Sequence, residues 1–438
     1  MYPDFYHLLK ELFGLEIPLL GLLKSFGFMV AMAFLAAGIV LTKELKRKEE
    51  LELLPFTIED LIIRKKVQWT DYLISGVLGF VIGYKVIGMF LNYQDAMADP
   101  LSYLTTGKGH MMSGILLSLG LLVWKAYEDY QQRKFGTEHK KVKMFPRHRV
   151  GDIAVIAAIG GFTGAKIFNA FETWDQFIQD PLASLLSSSG LTFYGGLIVA
   201  TAALWYYSRK IKMDFRHLCD AAAPALILAY GIGRLGCQIS GDGDWGIYNS
   251  AYITNEQGKV VENTKSFPEQ LALHHEHVYR QFDPKDDIPH KSFHAPKWLP
   301  VWMVAYNYPN NVNNIGEPLA GCQGTYCSVL PIPVFPTPIY EFLMGLIIFG
   351  ILWRLRKKWQ IPLSMFSVYL IFNGIERFLI EQIRVNYKYN WGFMQPTQAE
   401  IIAVAIMAAG ILLFLFRKQI DRLFHVDIRQ KSAEASES

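Results

Sequence analysis

Charged side chains set inside apolar stretches are the first sign of chemistry in this chain. FNGIERFLIEQIR places Glu376, Arg377, Glu381 and Arg384 in and just after an apolar run. GIGRLGCQISGDGDWG places Arg234 ahead of a glycine-rich turn that carries Asp242 and Asp244. Ionised groups are costly within a bilayer, so they face protein, water or a polar ligand. Arg377, Glu381 and Arg384 recur at i, i+4 and i+7, which on a helix would set all three on one face. Arginine suits a phosphate at headgroup depth, because its planar fork makes paired, charge-assisted hydrogen bonds and stays protonated in a partly dry site. The same residues would also serve as packing salt bridges, Arg377 with Glu381 and Arg234 with Asp242, and the glycines as close-approach positions. Both readings stand at this point.

The elements that must hold these residues are transmembrane helices. A hydrocarbon core of roughly 30 Å is matched about nine times. The runs are Phe26–Leu41, Asp71–Leu91, Met111–Trp124, Asp152–Phe171, Leu191–Tyr207, Leu218–Ile239, Ile339–Trp353, Pro362–Ile380 and Ala399–Phe416. The expected fold is therefore all-α, a polytopic transmembrane helical bundle with a large non-cytoplasmic loop between the sixth and seventh spans. Basic residues cluster in alternate connections, among them Lys46, Arg47 and Lys48, Lys140, Lys141 and Lys143, Arg209 and Lys210, Arg356 and Lys357, and Arg417 and Lys418. The positive-inside rule then puts the N-terminus outside and the C-terminus in the cytoplasm. Spans six and eight run outward, so Arg234 and Arg377 converge near the outer interface, Arg377 about 5 Å inside it at ~1.5 Å per residue.

This ordering suggests an N-terminal outer segment (1–25), expected to be retained, and a first span with its basic loop (26–70). A duplicated helix pair and loop (71–149) follow, then a core in two parts (150–239 and 337–416) around an extracytoplasmic segment (240–336), and a cytoplasmic tail (417–438). The duplication has a spacing of 81, since Gly83 matches Gly164, Lys85 matches Lys166, Asp99-Pro100-Leu101 matches Asp180-Pro181-Leu182, and Trp124 matches Trp205. Both copies start inside, so the repeats are parallel. The formal net charge of +4 reflects topology and does not argue for nucleic acid. Cys322 and Cys327 sit together in the extracytoplasmic segment, where an oxidising compartment allows a disulfide. Cys219 and Cys237 read as small buried residues. His274, His275 and His277 lack acid or cysteine partners at ligand spacing beyond Glu276, so a solvated helix face is preferred to a metal site. The terminal RQKSAEASES is disordered by composition.

In combination these blocks resemble the prolipoprotein diacylglyceryl transferase family. GIGRLGCQISGDGDWG resembles its signature, GGFTGAKIF its Gly-rich helix, LTFYGGLIVA its GG-centred helix start and FPTPIYEFLMGLIIF its Tyr-Glu block. NGIERFLIEQIR resembles the late arginine helix and QPTQAEIIA the opening of the last helix, so the likeness covers roughly residues 150–416. It implies Arg234 and Arg377 as contacts to the phosphate of phosphatidylglycerol, Glu381 as an essential polar partner, Asp242 or Asp244 as the motif acid and Gly246 as its closing glycine. Tyr340 and Glu341 form the Tyr-Glu block, Arg384 completes the arginine helix, and Phe26-Gly27 corresponds to the Tyr-Gly of the family's first helix. Two positions depart from the family pattern. Tyr194 stands where a histidine is usual, and Cys237 where an asparagine is usual.

The reaction implied by the resemblance moves the diacylglyceryl group of phosphatidylglycerol onto the lipobox cysteine of an exported prolipoprotein, at the bacterial inner membrane, and needs no metal or organic cofactor. A phenol with a pKa near 10 is a poor base at neutral pH. Tyr194 is therefore expected to donate a hydrogen bond, with proton removal left to Asp242, Asp244, Glu381 or water. Two other classes remain open: a catalytically altered relative that binds lipid or lipoprotein, and a transporter. A transporter would place its charges near the midplane.

Overall fold

The computed structural model describes residues 1–63, 65–98, 103–104, 107–186, 190, 192–278, 288–322, 324–386, 388–389, 392 and 394–424. Asp99-Pro100-Leu101 and the C-terminal tail lie outside these residues. Nine long helices run through the described chain. They are α1 (Ser25–Glu50), α2 (Trp69–Leu91), α3 (Met111–Phe135), α4 (Val150–Glu172), α5 (Phe193–Lys210), α6 (Phe215–Ser240), α7 (Thr337–Leu355), α8 (Ser364–Glu381) and α9 (Gln398–Leu423). A short helix, Phe5–Phe13, precedes them. Among the described residues α1, α2, α4, α6, α7 and α9 are long and apolar enough to cross a membrane, so the chain is a multi-pass membrane protein. The other three expected runs form the helices α3, α5 and α8. α8 carries Glu376, Arg377 and Glu381 within its 18 residues, so its polar face needs protein or ligand around it.

The chain divides into two compact units, one of Met1–Glu44 with Arg216 through the end of α9, the other of Leu45–Phe215. In the second unit, strand β1 (Thr57–Ile63) pairs antiparallel with β2 (Glu138–Met144), from Thr57 opposite Met144 to Ile63 opposite Glu138. At the centre Asp60 faces Lys141, and 141 − 60 = 81. Each strand is thus the repeat equivalent of the other, and the ribbon has a local two-fold axis. The duplication expected from Asp71 begins earlier, at the strands.

Each copy continues into a helical pair closed by glycine. A Cβ on Gly83 would lie 2.8 Å from the carbonyl carbon of Ser113, and one on Gly164 would lie 2.6 Å from Cβ of Val199. Only a hydrogen lets these backbones approach. The matched lysines do the same work in both copies. Lys85 Nζ donates to the Tyr103 carbonyl at 3.1 Å, and Lys166 Nζ to the Ser184 carbonyl at 3.4 Å; these acceptors are again 81 apart.

In the first unit α6 meets α7 where a Cβ on Gly345 would come within 3.3 Å of Gly231 Cα. α8 and α9 pack closely, with Gly374 against Met407 and Gly410 against the Ser367 carbonyl. α9 opens with a capping box in which Thr397 Oγ1 accepts from Glu400 N–H at 3.1 Å and Glu400 Oε2 accepts from Thr397 N–H at 2.8 Å. Between α6 and α7 the chain forms its own small core, in which Trp245, Tyr248, Tyr308, Leu330, Ile332 and Val334 are buried together. Short strands support it: β3 (Tyr248–Asn249), β4 (Tyr252–Thr254), β5 (Val260–Glu262), β6 (His290–Lys291), β7 (Glu317–Pro318) and β8 (Ser328–Val329). β3 pairs with β6, β4 with β5, and β7 with β8. Cys322 and Cys327 are joined by a disulfide. His274 pairs with Glu317, Nδ1 to Oε1 at 2.5 Å, a partner too distant in sequence to foresee.

Candidate functional site

The site lies in the first unit, where the last turns of α6 and α8 and the first turn of α7 bring acids and arginines together. Arg234 sits near the end of α6 and Glu341 in the first turns of α7. Arg384 follows the end of α8 and makes a β-bridge with Gly246. Arg234 and Arg384 are bridged twice. Asp244 pairs with Arg234 through Oδ2 and with Arg384 through Oδ1. From the opposite side Glu341 Oε2 lies 3.3 Å from Arg234 Nε, and Oε1 lies 3.5 Å from Arg384 Nη1. The two bridging acids differ in exposure: the Glu341 side chain is 0% exposed and that of Asp244 26%.

Behind Glu341 stands Tyr230, with its hydroxyl 2.9 Å from Glu341 Oε1 and 3.0 Å from Glu376 Oε1. Both carboxyl groups are buried. A buried acid needs such partners, and Tyr230 ties the Glu341 carboxyl on α7 to Glu376 on α8. Tyr230 was not foreseen, and Glu376 had no assigned role. Their contacts span 111 and 146 residues of sequence. The only signal was two more polar groups on otherwise apolar helices.

Two expectations need correction. α8 ends at Glu381, so Arg384 does not share a helical face with Arg377. The backbone has already turned to meet the 246–247 strand, where Ile247 N–H donates to the Ile383 carbonyl at 2.9 Å. Arg384 thus shares ion pairs with Arg234, while Arg377 also acts on Glu341 and Glu376 alongside Arg234 at longer range. Arg377 makes its ion pair within its own helix, Nη2 to Glu381 Oε2 at 3.0 Å, while Asn386 Nδ2 donates to Glu381 Oε1 at 2.5 Å. The acid paired with Arg234 is Asp244, not Asp242. Asp242 instead lies by Cys237, whose Sγ is 4.0 Å from Arg234 Nη1. Burial pushes the Asp242 carboxyl above its usual value, against the opposing pull of Cys237 and Arg234.

The remaining expected residues frame this ring or lie elsewhere. Gly246 occupies a crossing of backbones, since a Cβ there would lie 2.6 Å from the Ile383 carbonyl oxygen and 3.0 Å from that of Phe335. Tyr340 donates its hydroxyl hydrogen to the Met303 carbonyl and so anchors α7 to the segment before it. Phe26 packs on α6, where a Cβ on Gly236 would come within 3.3 Å of its ring. Tyr194 belongs to the second unit, in the first turn of α5, and is 39% exposed. A cavity of about 210 Å³ opens beside the ring, lined by Gly243, Trp245, Tyr248, Val334 and Arg384.

These features define a multi-pass membrane protein with an arginine–carboxylate cluster at the ends of its helices, suited to a small anion. A family model described as prolipoprotein diacylglyceryl transferase matches residues 110–416, and the chain belongs to that family. The match takes in α3 and leaves α1, with Phe26, outside it. Proteins named phosphatidylglycerol–prolipoprotein diacylglyceryl transferase are similar to it. The one from Leptospira interrogans is 26% identical over 274 residues, 57% of this chain and 65% of that protein. The one from Chlorobaculum tepidum is 26% identical over 308 residues, 66% of this chain and 81% of that protein. The Xylella fastidiosa protein is 26% identical over 263 residues, 58% and 72% respectively. The chain thus spans just under two thirds of the Leptospira relative's length.

Proposed function

We propose that the chain transfers the diacylglyceryl group of phosphatidylglycerol to the lipobox cysteine thiol of exported prolipoproteins and releases glycerol 1-phosphate, the first step of bacterial lipoprotein maturation. What carries this reading is the pair of guanidinium groups, Arg234 and Arg384, held at one spacing by shared carboxylates in a chain of this family. The precursor sulfur attacks the glycerol carbon that bears the phosphate. A C–S bond forms, the C–O bond breaks, and its electron pair leaves on the phosphate oxygen. Negative charge grows there, so fixed arginines favour the transition state over the bound lipid. A free thiol with a pKa near 8.5 is only a few per cent thiolate at neutral pH, so its proton passes to Asp242, Asp244, Glu381 or water as attack proceeds. For Tyr194 the family resemblance alone supports a part in the reaction, as a hydrogen-bond donor. Arg377, held by Glu381, adds positive charge at the same depth, and Gly246, Cys237 and Tyr340 shape the site wall.

In this reading the protein sits in the bacterial inner membrane with nine spans, its N-terminus outside and the 240–336 segment beside the outer leaflet. Support for this comes from the alternating basic connections. The test is purified protein with phosphatidylglycerol and a lipobox peptide, followed by mass spectrometry. A diacylglyceryl thioether on the peptide cysteine is expected. No adduct from folded protein supplied with both substrates would overturn the assignment.

A further inference from the structure

We infer that Asp244 holds the position between Arg234 and Arg384 that a phosphate would take, and that an incoming phosphate displaces it. The inference rests on the reading of the site as one that binds a phosphate ester. Four observations carry it. Asp244 spans the two arginines with its two oxygens, as a phosphate would with two of its own. Its side chain is 26% exposed, whereas that of Glu341, the other bridging acid, is 0% exposed and held by Tyr230. Asp244 follows Gly241 and Gly243, which have φ +65° and +92°. Glycine adopts such values without steric cost, so this turn can change conformation more readily than α7. Beside it lies the cavity of about 210 Å³ that Arg384 lines, giving the carboxylate and the incoming group space to exchange.

Charge favours the exchange. Arg234 and Arg384 carry two positive charges, and Asp244 sets one negative charge between them. A phosphodiester brings one negative charge, the same as the carboxylate it replaces, so the buried Glu341 side sees no change in net charge. Desolvating the arginines would otherwise oppose binding, and Asp244 keeps them paired until the phosphate arrives. The device makes the site selective for a ligand that offers two oxygens and a charge. A neutral or single-oxygen group does not replace both contacts. Asp244 is a specificity-determining residue here, and its removal should tighten binding of the ground-state anion.

The experiment uses the full chain in nanodiscs and measures binding of inorganic phosphate, glycerol 1-phosphate, and phosphatidylglycerol against diacylglycerol. Asp244→Asn should bind glycerol 1-phosphate roughly tenfold tighter or more than the unmodified protein, and Arg384→Gln should abolish the gain in the same background. A gain for glycerol 1-phosphate and phosphatidylglycerol, with none for diacylglycerol, assigns the site to the lipid headgroup. A gain confined to inorganic phosphate assigns it to free phosphate. Unchanged or weaker binding by folded Asp244→Asn overturns the proposal. Should that variant not fold, hydrogen exchange on the unmodified protein decides. Saturating glycerol 1-phosphate should speed exchange of the 242–246 amides, and slowed or constant exchange there counts against displacement. Because these readouts need no transfer, a protein that makes no thioether but shows the Asp244 effect refutes the proposed reaction and leaves the anion site standing.

Discussion

Asp60 and Lys141 face each other at the centre of the β1–β2 ribbon and are also each other's counterparts in the 81-residue repeat. An antiparallel pair of equivalent strands has a two-fold axis, so the two copies that follow are related by rotation and their helical pairs should respond alike to the same change. Gly83 and Gly164 test this. A methyl group on either meets neighbouring backbone or Cβ atoms closer than 3.0 Å. Gly83→Ala and Gly164→Ala should each lower stability by about 1–3 kcal/mol, measured as thermal unfolding in detergent. Gly161→Ala, with open space around it, should change little. A large effect in one copy and none in the other would break the equivalence.

Arg384 should matter more to transfer than Arg377. Arg384 is fixed by two acids from different elements, whereas Arg377 pairs within its own helix. Arg384→Lys keeps the charge and loses the fork, so the transfer rate should fall roughly tenfold or more, about 1.4 kcal/mol. Arg377→Lys should cost less. Initial rates with lipobox peptide at saturating phosphatidylglycerol separate the two, and the reverse ranking would return the main phosphate contact to Arg377.

Asp242 gives a pH dependence of stability. Burial is the largest influence and raises its carboxyl above the unfolded value. A group raised on folding contributes stability that is complete below the unfolded pKa and is lost as pH rises through the folded one. Asp242→Asn imitates the protonated form. It should therefore melt higher than the unmodified protein at neutral pH, with the gap closing below about pH 4. A gap that widens in acid would mean that the carboxylate is the favoured form.

Much of the architecture was legible because hydropathy and charge are local. All nine helices fall on the apolar runs, and the 81-residue spacing showed in matched Gly, Lys and Trp residues. The ribbon was missed because TIEDLII and EHKKVKM share only their offset and not their residue types. At the site, residue types were legible and pairings were not. Asp244 takes the place expected of Asp242 because the turn through Gly243 decides which carboxylate faces Arg234. Arg384 leaves the α8 face because strand pairing with Gly246, 138 residues away (384 − 246), ends the helix there. Such long-range choices leave no periodic trace.

By the sequence resemblance Tyr194 stands where the family usually has histidine, and its chemistry separates two roles. A phenol with a pKa near 10 accepts a proton poorly at neutral pH but donates a hydrogen bond well. If the position serves to orient a phosphate or glycerol oxygen, Tyr194→Phe should lower turnover several-fold, by about 1 kcal/mol for one lost hydrogen bond, with little change in thermal stability. Tyr194→His should keep or raise turnover, since imidazole can donate and can also accept the thiol proton. Tyrosine is also common at membrane interfaces for packing alone, and its 39% exposure in the first turn of α5 fits either use. Rates for both variants across pH 6 to 10 distinguish the cases. Unchanged turnover in Tyr194→Phe would leave a packing role. Complete loss, with a high-pH limb in the unmodified protein that the variant lacks, would make the tyrosinate itself the base.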